Sequence, residues 1–167
     1  HRVGLVPHLT EQVEWAGYLH DEGKRRREFQ SFLTTGACSE VLAKSGREHI
    51  SAAETRRLWR VSGLESGWRH ESESARLAAE RGATDLVVHL VASHHGWSRP
   101  LFLPCGDTSP NGPGARQDSA WSARRFQELN AQFGPWGLAF LEAAVRLADH
   151  RASAAPETDV PAAVGSL

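Results

Sequence analysis

The chain has 167 residues, of which 40% are hydrophobic and 23% are charged, and its formal net charge at pH 7 is −1. These values are typical of one soluble globular domain and exclude disordered and fibrous classes, while a charge near zero gives no global reason to expect nucleic-acid binding. No apolar run reaches the length of a membrane span, and no secretory signal is present. Cys38 and Cys105 fit no paired spacing, which favours a reduced cytoplasmic protein.

Helical periodicity runs through most of the chain and no segment has a convincing strand pattern, so the predicted fold is all-α. Pro7 is well placed to begin a helix, because its fixed φ suits the first helical position. Thr10 and Ser51 are predicted to cap helices, because a hydroxyl group can accept a hydrogen bond from a backbone N–H of the first turn. Gly23, Gly82 and Gly134 are predicted to end helices or to separate them. The predicted helices, in chain order, cover residues 9–20, 24–33, 51–59, 68–81, 85–95, 119–133 and 135–153.

The helix predicted over residues 85–95 is apolar on all sides, which is typical of a buried helix. It ends in Ser93-His94-His95-Gly96 and precedes a loop predicted over residues 97–117, which is long enough to be either functional or mobile. We expect one domain over residues 1–153. The tail over residues 154–167 consists largely of small residues and prolines, and we expect it to be flexible.

Nine histidines against one tyrosine are the unusual feature of the composition and direct attention to metal binding. Imidazoles and carboxylates are costly to bury without partners, and a shared metal site would satisfy several of them together. Asp21 has two carboxylate oxygens and can bridge two ions, whereas the adjacent His94 and His95 can serve one site only at a helix end or between two ions. The other histidines, His89 among them, are assigned to the core or the surface. The candidate ligands are His20, Asp21, His70, His94, His95 and Asp149.

Four short segments carry a family resemblance. They are Leu19-His20-Asp21-Glu22-Gly23-Lys24, Arg69-His70-Glu71, Ser93-His94-His95-Gly96 and Arg146-Leu147-Ala148-Asp149. In this order they resemble the HD metal-dependent phosphohydrolase superfamily, and most of all the HD nuclease domain of the CRISPR-associated helicase–nuclease that acts with the Cascade surveillance complex. Trp136-Gly137-Leu138-Ala139 suggests the type I variant in which the HD domain ends the polypeptide. The resemblance covers roughly residues 4–153 and implies an HD-domain helical bundle.

The resemblance also implies a role for each candidate residue. One ion would take His20, Asp21 and Asp149, and a second ion would take Asp21, His70, His94 and His95. Lys24 would contact the scissile phosphate, so Lys24 and Asp21 are the candidate catalytic residues. The family places a further histidine on an earlier helix, and this sequence contains no such helix. Because the sequence starts at His1 and has no methionine, we expect it to be a piece of a longer polypeptide.

The implied activity is hydrolysis of phosphodiester bonds in single-stranded DNA during CRISPR type I interference. Two ions about 4 Å apart would activate a water and stabilise the leaving oxygen. Mixed imidazole and carboxylate ligation suits Mn, Fe, Co or Ni better than Mg alone, with up to two ions per chain. The implied partners are single-stranded DNA, a helicase domain in the same or a separate polypeptide, and the Cascade complex, in the cytoplasm and without a membrane.

Two alternatives stay open at the level of sequence. An HD phosphohydrolase acting on nucleotides or cyclic nucleotides is one, and a catalytically weak HD module that binds partners, with metal as a structural element, is the other. The basic run Lys24-Arg25-Arg26-Arg27 either contacts a nucleic-acid backbone or forms a solvated helix face. Trp97 and Phe102, together with Arg99, could stack unpaired bases, with core packing as the alternative for Phe102.

Overall fold

The structure, a computed structural model, describes residues 4–34, 41–42, 50–65, 67–100 and 113–154. All regular secondary structure in these ranges is helical, which confirms the predicted all-α fold. The elements are α1 (Pro7–Leu19), a 3-10 helix (Glu22–Arg25), α2 (Arg27–Thr34), α3 (Ala52–Ser62), α4 (His70–Glu80), α5 (Asp85–Ser93) and α6 (Pro113–Ala154). The predictions for Phe102, for both cysteines and for the tail beyond residue 154 lie outside the described residues.

Helix α5 is the central element of the fold. Thr84 caps it, because the Thr84 hydroxyl accepts from the Val87 N–H at 3.3 Å, and every residue from Leu86 to Ser93 is buried. Helices α1, α4 and α6 all pack against α5. Burial of a Leu or Val side chain stabilises the fold by about 1.5–3 kcal/mol, so the apolar sequence of α5 accounts for its central position. The prediction of a buried helix here is confirmed.

The two predicted helix caps have different outcomes. Ser51 caps α3 as predicted, since its Oγ accepts from the Glu54 N–H at 3.1 Å, although α3 extends to Ser62. Thr10 is not a cap. Helix α1 begins three residues earlier, at Pro7, and the Thr10 hydroxyl donates to the Val6 carbonyl at 3.4 Å, which is the usual bond of a threonine inside a helix. The predicted helix start at Pro7 is confirmed, and the proline was the stronger of the two start signals.

Gly23 does not end a helix by turning the chain, as the sequence led us to expect. Helix α1 already ends at Leu19, and Gly23 lies buried in the 3-10 helix against α4. Its N–H donates to the Ser74 hydroxyl at 2.8 Å, and a Cβ at this position would overlap the His70 carbonyl oxygen. A glycine is therefore required at this position, because any side chain would prevent the close approach of the 3-10 helix to α4. The helix predicted over residues 24–33 is also divided, because Arg26 has an extended ψ of 130°.

Helix α6 has a break at Gly134, where φ is 69° and ψ is 161°, followed directly by Pro135. The predicted separation of two helices at this glycine is confirmed, as is the end of α4 before Gly82, which has a φ of 75°. The predicted loop over residues 97–117 is too long at its end, because α6 already begins at Pro113. Among the described residues, no helix is both long and apolar enough to cross a membrane.

Candidate metal centre

The six candidate ligands converge from four helices. His20 follows the last residue of α1, His70 is the first residue of α4, and His94 follows α5. The His20 Nε2 atom lies 3.5 Å from Asp21 Oδ2 and 3.4 Å from Asp149 Oδ1, on α6.

Asp21 Oδ1 lies 3.4 Å from His70 Nε2, which is 3.1 Å from His95 Nε2. Ligand atoms of His70, His94 and His95 all lie within 4.8 Å of one another. We refer to these six residues (His20, Asp21, His70, His94, His95 and Asp149) as the candidate centre. Its two carboxylates and four imidazoles are close enough to share ions.

Two of the imidazoles have their tautomer set by the main chain. The Nδ1 atom of His20 lies 2.6 Å from the Gly17 carbonyl oxygen, and that of His94 lies 2.6 Å from the Val91 carbonyl oxygen. A carbonyl oxygen can only accept, so each Nδ1 carries the hydrogen and each neutral ring has its lone pair on Nε2. Both rings thus present the atom that a metal ion binds.

Three potential metal-ligand atoms of the candidate centre are buried and have no hydrogen-bond partner in the part of the chain that the structure describes. They are His20 Nε2, Asp21 Oδ1 and His94 Nε2. An unsatisfied buried polar atom costs about 1–3 kcal/mol, and such atoms are rare in folded proteins. Divalent cations bound at the candidate centre would satisfy these three atoms, and a mixed set of imidazole nitrogens and carboxylate oxygens suits a transition metal. The residues present therefore fit a metal site.

The protonation states also fit metal binding. Burial lowers the pKa of His70 and that of His94 to about 4, so both rings are neutral near pH 7. Burial of Asp21 by itself would raise the pKa of its carboxyl group. The hydrogen bond from Lys24 Nζ at 2.8 Å, together with the positive charge of Lys24, outweighs this effect and holds that pKa below its ordinary value. Neutral imidazoles and an ionised carboxylate are the forms that ligate metals.

A profile of the family described as "Cas3, HD domain" matches residues 5–160, a range that includes every residue of the candidate centre. The chain belongs to this family. Membership makes it a metal-dependent hydrolase of the nuclease type, associated with CRISPR. Neither the curated proteins nor the solved structures contain a significant match.

Lys24, the predicted phosphate contact of this Cas3 HD domain, lies at the edge of the candidate centre. Its ammonium group donates to Asp21 Oδ2, and its side chain is 21% exposed. The Lys24 carbonyl accepts from Gln30 Nε2 at 2.6 Å, which ties the 3-10 helix to α2. The lysine is thus held beside the bridging candidate Asp21, and its contact with phosphate stays a prediction.

Glu71 is a site residue that our reading of the sequence missed. It is buried, its Oε2 lies 3.4 Å from His70 Nδ1, and its Oε1 accepts from Arg69 Nη1 at 2.9 Å. Burial would raise the pKa of Glu71, but its backbone hydrogen bond and Arg69 hold that pKa below its ordinary value. A carboxylate behind a ligating histidine orients the ring and fixes its tautomer. The His-Glu pair at the start of α4 was the available sequence signal.

Helix α6 contributes two further residues that the sequence did not reveal. Arg146 Nε donates to the His94 carbonyl at 3.0 Å. Glu142 Oε1 lies 2.7 Å from His89 Nε2, and Glu142 Oε2 lies 3.1 Å from Arg99 Nε. Glu142, Arg146 and Asp149 follow one another at helical spacing, so one face of α6 both holds the chain around His94 and supplies a candidate ligand. His89 is buried in the core with this partner, which is one of the two positions, core or surface, that the sequence left open for it.

Proposed function

We propose that the chain is a nuclease that hydrolyses phosphodiester bonds of single-stranded DNA with two divalent ions. In this proposal His20, Asp21 and Asp149 hold one ion, and Asp21, His70, His94 and His95 hold the other. The observation that supports it most is the set of three buried ligand atoms that have no hydrogen-bond partner among the described residues, two of them on imidazoles whose tautomer exposes the lone pair. Mn, Fe, Co or Ni are the proposed ions, with Mg as a weaker candidate.

Asp21 is the proposed bridging ligand. Its Oδ2 lies 3.5 Å from His20 Nε2, and its Oδ1 lies 3.4 Å from His70 Nε2. Each carboxylate oxygen is therefore close to the ligands of a different proposed ion. Bound divalent ions supply Lewis acidity and lower the pKa of water for attack on a phosphodiester. Lys24, held beside Asp21, places a positive charge where negative charge develops on the phosphate.

A single strand is the proposed substrate because most of the candidate centre is recessed. His94 is fully buried, while His20, His70 and Asp149 have side chains that are less than one-fifth exposed. His95 is the exposed member, so access is from its side. A flexible single backbone can bring a phosphate to such a site more easily than a duplex can. Family membership supports a CRISPR setting. In this proposal a helicase domain supplies the single strand, the Cascade complex is a partner, and the protein acts in the cytoplasm.

The test is a cleavage assay of the protein loaded separately with Mn, Co, Ni and Mg. Single-stranded DNA, duplex DNA, mononucleotides and cyclic nucleotides are compared as substrates, and metal content per chain is measured in parallel. We expect cleavage of single-stranded DNA that chelation abolishes and that Mn, Co or Ni restores. Hydrolysis confined to mononucleotides or cyclic nucleotides would show a nucleotide phosphohydrolase, and activity that survives exhaustive chelation would contradict a metal mechanism.

Asp21→Asn keeps the shape of the side chain and removes its charge, so it isolates the bridging role. We expect the loss of activity to exceed the roughly 10- to 100-fold loss typical of an outer-shell partner, with fewer ions bound per chain. Asp85→Asn is the matched control, because Asp85 pairs with Arg125 at the other end of α5 and should leave cleavage unchanged. A folded Asp21→Asn protein with wild-type activity would reject the assignment.

A further inference from the structure

An aromatic cavity of about 570 Å³ adjoins the candidate centre. His70 and His95 form part of its wall, so the cavity begins where the proposed ligands of the second ion end. Its other aromatic lining residues are Phe29, Trp59, Trp68 and Trp97. Neither the proposed ion ligands nor the proposed phosphate contact account for this concentration of tryptophan.

The aromatic wall is continuous with the candidate centre. The ring of Phe29 packs against Trp68, with centroids 5.2 Å apart, and stacks with the His70 ring at 6.4 Å and an interplanar angle of 29°. His70 is therefore the last member of an aromatic row and also a candidate ligand. A flat ligand in this cavity would lie beside a phosphate held at the candidate centre.

The edge of the cavity combines an exposed indole ring with a guanidinium group stacked on it. Trp97 is 42% exposed, and the Arg69 guanidinium carbon lies 4.2 Å from the centre of its ring. A second guanidinium, that of Arg26, lies 5.9 Å from the ring of Trp68. Both guanidinium groups are ion-paired, Arg69 with Glu71 and Arg26 with Glu28, so the cavity offers aromatic faces rather than free charge. Such a surface suits the π-face of a nucleobase, whose phosphate would lie outside the cavity.

We propose that the aromatic cavity holds a nucleobase of the strand whose phosphate lies at the candidate centre, with Trp97 as the main stacking surface. This proposal rests on the proposed function and adds a base subsite to it. Every base has a π-face, so stacking of this kind tolerates any sequence. The subsite would fix the position of the strand relative to the ions and would reject backbones that carry no bases.

The test compares oligothymidylate with an abasic oligomer of the same length and charge. Stacking of one base is worth about 1–3 kcal/mol, which corresponds to a difference of about 5- to 150-fold in affinity. We expect the Mn-loaded wild-type protein to have a KM for the abasic oligomer higher by such a factor. Trp97→Ala should raise the KM for oligothymidylate and leave the KM for the abasic oligomer unchanged, and Trp97→Phe should restore part of the preference.

Trp136→Ala is the matched control, because Trp136 is 87% exposed and does not line the cavity, so it should behave as wild type. Equal KM values for the two oligomers in the wild-type protein would overturn the proposal. An equal increase in the KM values of both oligomers in Trp97→Ala would also overturn it, since that result indicates a structural role.

A second readout separates this proposal from the proposed function. Binding of the two oligomers, each labelled with a fluorophore, is measured by anisotropy in the presence of chelator, where no cleavage occurs. Tighter binding of oligothymidylate that depends on Trp97 supports the base subsite even if neither oligomer is ever cleaved. Equal binding overturns the subsite even if cleavage of single-stranded DNA is found.

Discussion

His20 and His94 are held in the same way, each by a hydrogen bond from Nδ1 to the carbonyl oxygen three residues earlier. Each ring is therefore oriented by the last turn of its own helix and needs no partner from elsewhere in the fold. The Nε2 atoms of both rings are buried and have no hydrogen-bond partner in the described ranges of the chain. Ligands fixed before the ion arrives lose little freedom on binding, which favours affinity.

Lys24 allows a test that separates metal binding from chemistry. Its ammonium group shares Asp21 Oδ2 with any ion that binds there, so Lys24→Gln should not weaken metal binding. Loss of the positive charge near the phosphate should lower kcat by about 100-fold. Calorimetric titration with Mn and single-turnover cleavage measure the two effects.

Arg124→Gln is a suitable control for Lys24→Gln, because Arg124 is largely exposed and pairs with Glu128 on α6. It should leave both the metal affinity and kcat at wild-type values. A parallel loss of metal affinity and activity in Lys24→Gln would show that the lysine acts by positioning Asp21 rather than on the phosphate.

At the scale of elements, the contact between the 3-10 helix and α4 places Asp21 beside His70. Gly23→Ala should disturb this contact, because the added Cβ would overlap the His70 carbonyl oxygen and lie 2.9 Å from Glu73 Cβ and Ser74 N. We expect destabilisation of about 1–3 kcal/mol together with weaker metal binding. Thermal denaturation with and without Mn measures both.

Gly17→Ala provides the matched control for Gly23→Ala. Gly17 lies within α1, and beyond its chain neighbours and the backbone of its own helix, a Cβ there would meet no atom of the described residues within 4 Å. Alanine is the better helix former, so this variant should be neutral or more stable by up to about 1 kcal/mol. Equal stabilities for the two alanine variants would contradict the close approach at Gly23.

The elements differ in how far the sequence could predict them. The apolar run of α5, the cap at Ser51 and the breaks at Gly82 and Gly134 act locally, and all were predicted. Gly23 was misread because its role depends on the His70 carbonyl, which reaches it only through the packing of α4.

The candidate ligands could be predicted because each is a residue type that metals bind. The residues that support them could not. Glu142 and Arg146 lie more than 50 positions along the chain from their partners His89 and His94. Two charged residues four positions apart on a helix usually belong to a solvated face. Only the packing of α6 on α5 brings them to these partners.

For the whole molecule, burial of the candidate centre makes the metal-free protein sensitive to acid. The pKa values of His70 and His94 fall from 6.5 to about 4 on folding, so the unfolded chain binds more protons between these values. Their contribution to stability is complete above pH 6.5 and is lost as the pH falls toward 4, up to a ceiling of about 3 kcal/mol for each ring.

Chemical denaturation of the metal-free protein from about pH 7.5 to about pH 4.5 measures this loss, and the free energy of unfolding should decrease throughout the lower part of the range. His94→Gln should flatten the profile. His150→Gln, which replaces an exposed histidine of α6, should retain the wild-type profile. A free energy of unfolding independent of pH would contradict the burial of these rings as neutral bases.

Helices α1 and α5 both end at the candidate centre, at Leu19 and Ser93. The aligned peptide dipoles of a helix leave about half a negative charge at its C-terminal end, worth about 0.3–1 kcal/mol to a nearby cation. Two such ends meet where His20 and His94 emerge. Part of the attraction for an ion bound at the candidate centre would therefore come from the main chain, and no side-chain substitution would remove that part.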